Sequence, residues 1–338
     1  MSTKAIFDKK NILVIGGAGF IGSHLCDQLV KTNKVICIDN FSTGIERNID
    51  HLLSDPNFIF IRHDITSPID LEKQESLENF QIKFQGVQEI YNLACPMSPR
   101  HFSEHRFANL MVNSFGMKNI LDLAVKNNAR LLHFSSSVVY GPRQADNQKI
   151  SEDYIGAVDQ LSPRSSYDEG KRFAEAMIAN YKELYKLDAR IARIFRVYGP
   201  RMKLNDDQMI PDFVNNALDN EDLVILGDES FTTSFCYVSD CIDAVVRMME
   251  YSNIEGAVNI GSDRDVRLVD LAQMIIRMIG SKSEIAYASA NMFMTPLCLP
   301  NINKARDRLG WMPIMTLEKG LEKTIAYLRA SKDLKGFH

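Results

Sequence analysis

The stretch Ile12-Leu13-Val14-Ile15-Gly16-Gly17-Ala18-Gly19-Phe20-Ile21-Gly22-Ser23-His24-Leu25 decides the fold. An apolar, β-forming run meets glycines spaced by three, and a helical pattern follows. Gly16 suits the tight turn out of a strand. Gly19 lets backbone N–H groups approach a pyrophosphate, and Gly22 permits close packing of the helix. Such a unit needs an acidic residue at the end of the next strand, about 20 positions on, to meet ribose hydroxyls. Val35-Ile36-Cys37-Ile38-Asp39 supplies it. Strand, glycine turn, helix, strand and Asp39 in register predict a dinucleotide site.

The pattern continues outward from there. Short strand-like runs occur at Ile12–Ile15, Val35–Ile38, Phe58–Ile61, Glu89–Leu93 and Leu131–Phe134, with amphipathic pieces such as Gly22–Lys31 and Phe107–Asn127 between them. This alternation predicts a Rossmann-type, doubly wound parallel sheet with helices on both faces. The charged stretch Asp70–Phe84 reads as a surface excursion. Asp168–Tyr185 has helical spacing, Leu187–Phe195 reads as a buried strand, and Leu268–Ile279 and Leu317–Leu328 as amphipathic helices. No linker rich in Gly, Ser or Pro divides the chain. Residues 1–195 are expected to form mainly the dinucleotide domain. Residues 196–338 are expected to form mainly a smaller, interleaved α/β substrate lobe that sends chain back to the first.

Composition sets limits on function. The chain has 338 residues, 45% apolar and 24% charged, with a formal net charge of −4. Those are globular proportions, and slight acidity argues against nucleic acid as a partner. No apolar run of about 18 residues suggests a membrane span. The polar segment Met1–Lys10, with three lysines, does not read as a signal peptide. Six cysteines without a Cys-x-x-Cys pair read as free thiols in a reducing cytoplasm, and no metal site is expected.

Two further features carry chemistry. No Arg or Lys directly follows Asp39, whose charge would repel a 2′-phosphate, so NAD is favoured over NADP. Downstream of the strand Leu131–Phe134 come Ser135-Ser136-Ser137, then Tyr167-Asp168-Glu169-Gly170-Lys171. Tyr and Lys at i and i+4 share a helical face, and an adjacent ammonium favours the phenolate. Such a tyrosine takes the proton of a sugar hydroxyl while hydride leaves the same carbon. Tyr167, Lys171 and Ser136 are the candidate catalytic residues.

These motifs resemble the extended short-chain dehydrogenase/reductases, the NAD-dependent epimerase/dehydratase family of nucleotide-sugar enzymes, over nearly the whole chain. Leu93-Ala94-Cys95-Pro96-Met97-Ser98-Pro99 and Tyr167-Asp-Glu-Gly-Lys-Arg172 resemble its UDP-glucuronate decarboxylase branch. The resemblance implies cofactor contacts at Gly16, Gly19, Phe20, Ile21, Asp39, Asn40, Phe41, Ser42, Thr43 and Gly44. It adds Asp64 and Ile65 beside the adenine, Leu93 and Ala94, and Tyr167 and Lys171. Substrate contacts are implied at Pro96, Asn113, Ser137, Arg196 and Arg201, and a homodimer is implied. The expected activity is NAD-dependent modification of a nucleotide sugar, beginning with oxidation at C4 and decarboxylase-like in outcome. The alternatives are a C4 epimerase or C4 dehydrogenase, or a non-catalytic NAD-binding regulator, against which the Tyr–Lys pair argues.

The chain also departs from that branch. Val138 stands where the decarboxylases carry Glu, Thr233 and Cys298 where they carry Arg, and Arg196 where they carry Asn. Ser137-Val138 offers no acid–base group at neutral pH, which argues against a 4,6-dehydratase. Decarboxylation is more tolerant, since a C4 ketone turns the C6 carboxylate into that of a β-keto acid. Arg264 and Arg267 read as solvated surface.

Overall fold

A computed structural model describes residues 9–143, 149–251, 254–289 and 298–335; most of the lysine-bearing N-terminal segment lies outside them. Seven strands form the central sheet: β1 (Asn11–Ile15), β2 (Lys34–Asp39), β3 (Phe58–Arg62), β4 (Glu89–Asn92), β5 (Arg130–Ser136), β6 (Ala189–Ile194) and β7 (Ala257–Ile260). Their order is β7-β6-β5-β4-β1-β2-β3, and every pairing is parallel. The chain fills one side of β1 and then crosses to the other. The crevice beyond the strand ends at β1 and β4, where that direction reverses, is where such sheets bind ligands.

Successive strand residues face opposite sides, so a sheet covered on both faces needs two cores. Ile12 and Val14 pack into one, and Leu13 and Ile15 into the other. The main helices are α1 (Phe20–Leu29), α2 (Phe102–Met111), α3 (Met117–Asn127), α4 (Ser165–Tyr185), α5 (Met209–Asp219), α6 (Val238–Glu250), α7 (Leu268–Ile279), α8 (Asn303–Leu309) and α9 (Leu317–Lys335). A π turn, Val112–Gly116, joins α2 to α3.

Two regions differ from the sequence reading. Asp70–Phe84 is not simply a surface excursion: Leu71, Leu77, Phe80 and Ile82 are buried in the core on one side of the sheet. Its charges hid the spaced apolar residues because short 3-10 turns do not follow helical periodicity. The helix α6, which packs against α1 and the sheet, was not recognised as a helix. Its Met248 and Met249 are fully buried.

The chain leaves the sheet after β6 and returns with β7. The second lobe gathers α5, α7 and α9 around a short parallel pair, Leu223–Leu226 with Ile285–Ala288. Trp311 ties it down: its indole N–H donates to the Asp240 carbonyl at 3.0 Å, and the Asp240 carboxylate accepts the Met315 N–H at 3.0 Å. Trp311 is 1% exposed. Trp311→Ala should cost about 3–5 kcal/mol from cavity and lost burial. Urea unfolding should show a lower midpoint with an unchanged slope.

Candidate active site

A hollow of about 460 Å³ lies at the crevice. Gly16, Gly19, Phe20, Ile21 and Gly22 form one wall, and Asp39, Asn40, Ser42, Thr43 and Gly44 another. Asp64, Ile65, Leu93, Ala94 and Pro96 complete much of the rest. The helix α1 begins at Phe20, so its free N–H groups and positive dipole end face this space. A Cβ on Gly22 would stand 2.2 Å from the Gly16 carbonyl oxygen, so only glycine lets α1 approach the turn this closely. Asp39 accepts the Ala18 N–H at 3.0 Å and the Phe41 N–H at 2.8 Å. Burial raises its carboxyl above the ordinary range, against those hydrogen bonds. The glycine turn, the helix end and this carboxylate fit a dinucleotide whose pyrophosphate meets α1 and whose ribose meets Asp39.

The second hollow, about 670 Å³, lies between the lobes. Ser136, Ser137, Val138 and Tyr167 form its inner end, and Met97 and Ile194 border both hollows. Burial raises the Tyr167 phenol above its ordinary value and Cys95 adds to this, while a hydrogen bond with Ser136 opposes it. Lys171 sits behind, its Nζ donating to the Phe134 carbonyl at 2.8 Å. Glu175, one turn further along α4, forms two hydrogen bonds with Arg193 on β6, at 3.0 and 2.7 Å. The helix carrying Tyr167 is thereby fixed to the sheet. Gly170 allows close packing on its other side, since a Cβ there would lie 3.1 Å from the Asn113 amide nitrogen.

Val138 packs with Tyr167 and Phe102 in a small apolar cluster. The wall beside the phenol is therefore apolar where an acid would act. Arg196 lines the same hollow and donates from Nε to the Thr233 hydroxyl at 3.1 Å. Two departures noted separately in the sequence thus lie side by side: a guanidinium at 196 stands against the small side chain at 233. Burial pushes the Arg196 guanidinium down to about 10, and Arg164 reinforces this. Cys298 lies elsewhere, in a core cluster with Val139, Tyr140, Ile150 and Phe195. Arg264 and Arg267 are exposed, and Arg267 pairs with Asp270 at 2.8 Å.

Several expected contacts sit off these walls. The Phe41 ring packs on Phe60, 4.9 Å between centroids. Asn113 is buried behind Cys95, its amide donating to the Asn109 carbonyl at 2.8 Å. Arg201 pairs with Asp27 of α1 at 2.7 Å. Pro96 borders the dinucleotide hollow and not the larger one. The sequence reading missed Arg164, Arg100 and Asp212, all on the wall of the larger hollow. Arg164 stands three residues before Tyr167, so helical spacing could have flagged it; Arg100 and Asp212 carry no such local signal.

NAD+ should raise the melting temperature more than NADP+ at equal concentration, because a 2′-phosphate would meet the Asp39 carboxylate. Gly22→Ala should largely remove that stabilisation. Both are read by thermal shift.

Comparison with known proteins agrees with this geometry. Residues 12–261 match the NAD dependent epimerase/dehydratase family. The chain is 40% identical over 323 residues to UDP-glucuronic acid decarboxylase 1 of Xenopus tropicalis, covering 95% of this chain and 73% of that protein. It is 38% identical over 322 residues to UDP-glucuronic acid decarboxylase 6 of Arabidopsis thaliana, covering 95% and 89%. The structure of UDP-glucuronic acid 4-epimerase from Bacillus cereus, in complex with UDP-glucuronic acid and NAD, superposes with a TM-score of 0.78 at 28% identity, covering 95% and 99%. With its glycine turn, its Tyr–Lys helix and a match across most of its length, the chain belongs to the NAD-dependent epimerase/dehydratase family.

Proposed function

We propose that the protein oxidises a nucleotide sugar at C4 and decarboxylates it, as a UDP-glucuronate decarboxylase does. The observation that carries this is the larger hollow, where Tyr167 and Ser136 stand beside apolar Val138 and Arg196 lines the same space. Gly16, Gly19 and Asp39 would hold NAD+, which would supply the acceptor for the C4 hydride and the donor that returns it. Tyr167 takes the C4 hydroxyl proton, and Ser136 orients that hydroxyl. Burial opposes the phenolate, and the Ser136 hydroxyl and the Arg164 guanidinium favour it; Lys171, one turn along the helix, is proposed to add its positive charge. With a ketone at C4, the C5–C6 bond breaks, carbon dioxide leaves, and the electron pair of that bond passes into the C4–C5 enolate, which takes a proton from water at C5. No base is needed for that step, so Val138 does not block it.

The larger hollow has a direction. Arg164 and Arg196 lie toward Tyr167, which suits a sugar there with its anionic groups beside the two guanidinium ions. Arg196 makes no ion pair among the described residues, as expected of a cation held for a ligand. The C4 epimerase reading has its own support: Tyr167, Lys171 and Ser136 suffice for it, and Val138 puts no acid beside the phenol.

Homodimerisation through the faces of α2 and α4 and the π turn is supported by their exposed Phe107, Phe173 and Phe115. A reducing cytoplasm is supported by six unpaired cysteines, five of them buried.

With UDP-glucuronate, a product lighter by carbon dioxide should appear, with NADH absorbance only transient because the hydride returns to C4, at a lower rate than in decarboxylases that carry the missing Glu. A product of unchanged mass but inverted C4 would select the epimerase reading; no reaction with any sugar nucleotide would favour a regulator. Tyr167→Phe should keep NAD binding and cut turnover at least about a hundredfold. The wild-type rate should rise with pH, because the phenol must lose its proton, and Tyr167→Phe should lose that rise. Arg196→Ala should weaken sugar-nucleotide binding about tenfold or more, with NAD affinity unchanged, as titration calorimetry would show.

A further inference from the structure

A polar pair lies inside one of the two apolar cores of the sheet. Asn92, at the end of β4, and His133, on β5, are register partners. Strand alternation puts them on the side of Ile90 and Leu131, where Met117 of α3 packs. Asn92 is 2% exposed and His133 1%. The Asn92 amide nitrogen lies 3.2 Å from His133 Nδ1 and 3.4 Å from the Met117 sulfur. The Asn92 side-chain oxygen accepts the Ala94 N–H at 3.2 Å. Ala94 lines the dinucleotide hollow. A Cβ on Gly16 would stand 2.8 Å from the Ala94 nitrogen, so the Ala94 backbone packs directly on the glycine turn.

The backbone sets the protonation of this pair. The Ala94 N–H can only donate, so the Asn92 atom facing it is the oxygen, and the NH2 group faces His133. Nδ1 must then accept, which leaves the ring proton on Nε2. That nitrogen is buried and has no partner among the described residues. Burial holds the imidazole well below its ordinary value, and the Lys171 ammonium of α4 adds to this. A ring nitrogen left unpaired in an apolar core costs stability that an aliphatic side chain would not. Packing therefore does not account for a histidine here, whereas the acceptor it presents to Asn92 does.

We propose that His133 is a positioning residue for the dinucleotide: its Nδ1 orients the Asn92 carboxamide, which holds Ala94 and with it the wall that faces the glycine turn. His133 lines neither hollow and acts only through Asn92. Without that acceptor the Asn92 NH2 group keeps only the weak Met117 sulfur, and the oxygen is no longer fixed on Ala94. Spacing from the glycine turn does not mark His133, because the link runs across two neighbouring strands and not along the chain.

The test joins calorimetric titration of NAD+ with nitrogen NMR of the histidine rings. His133→Leu should weaken NAD+ binding about three- to tenfold, the worth of one hydrogen bond. His133→Asn places an acceptor oxygen where Nδ1 stands, so it should restore the affinity to within about twofold of wild type. Asn92→Leu should weaken NAD+ at least as much as His133→Leu. Adding His133→Leu to it should cost nothing more, since both act through one chain of bonds. In the wild-type protein without NAD+, the His133 ring should carry its proton on Nε2 alone at neutral pH. Affinity unchanged by His133→Leu, equal losses in the leucine and asparagine variants, or losses that add in the double variant would overturn the inference. Should the variants fail to fold, the wild-type ring decides: a proton on Nε2 supports the inference and one on Nδ1 overturns it. Wild-type protein that does not bind NAD+ would overturn the dinucleotide site together with it.

Discussion

The paired contact between Arg193 and Glu175 holds the active site together. Arg193 belongs to β6 and Glu175 to α4, and their two hydrogen bonds are shielded, with side chains 15% and 13% exposed. Ser135 of β5 donates to the same carboxylate at 2.5 Å, and Arg193 also donates to the Tyr140 hydroxyl at 2.8 Å. The Tyr140 hydroxyl donates to Asn259 of β7 at 2.7 Å. Three strands and the helix of Tyr167 and Lys171 thus share one polar network. Breaking such a shielded pair from one side leaves a charge without compensation, so the helix cannot slide along the sheet without a large loss. That rigidity aims Tyr167 and Ser136 at one point between the two hollows.

Around that point the lobes divide the work. The first lobe supplies the dinucleotide hollow, the phenol and the serine. The second supplies most of the walls of the larger hollow. Arg196 sits where the chain passes from one lobe to the other, directly after β6. Its contact with Thr233 shows how two substitutions that look unrelated in sequence become one local rearrangement of charge. The cation missing at 233 is replaced in the same neighbourhood by one from 196. Cys298, by contrast, lies in a core cluster, with the Arg143 guanidinium nearby.

Val138 fixes the chemical character of the site. Packed on Tyr167 and Phe102, it makes the space beside the phenol apolar. An apolar wall weakens ionisation of the tyrosine, which is why its activation depends on the positive charges around it. The same wall leaves intact a reaction that proceeds from a C4 ketone by loss of carbon dioxide. It removes the group that an elimination of water would require.

The glycine turn, Asp39, the Tyr–Lys spacing and the strand alternation were legible in the sequence because each depends on local geometry: a close approach, a strand end, one helical face, a parallel sheet covered on both sides. Those features determined the fold class and the cofactor, and they pointed to Tyr167 as the proposed base. Tertiary structure decided what depends on chain segments meeting across the molecule. It set Arg196 against Thr233, drew Arg201 away to Asp27, put Asn113 behind Cys95 and brought Asp212 to the wall of the larger hollow. The physical reason is that a cavity wall is assembled from distant segments. Its charges come together only once both lobes have folded against each other.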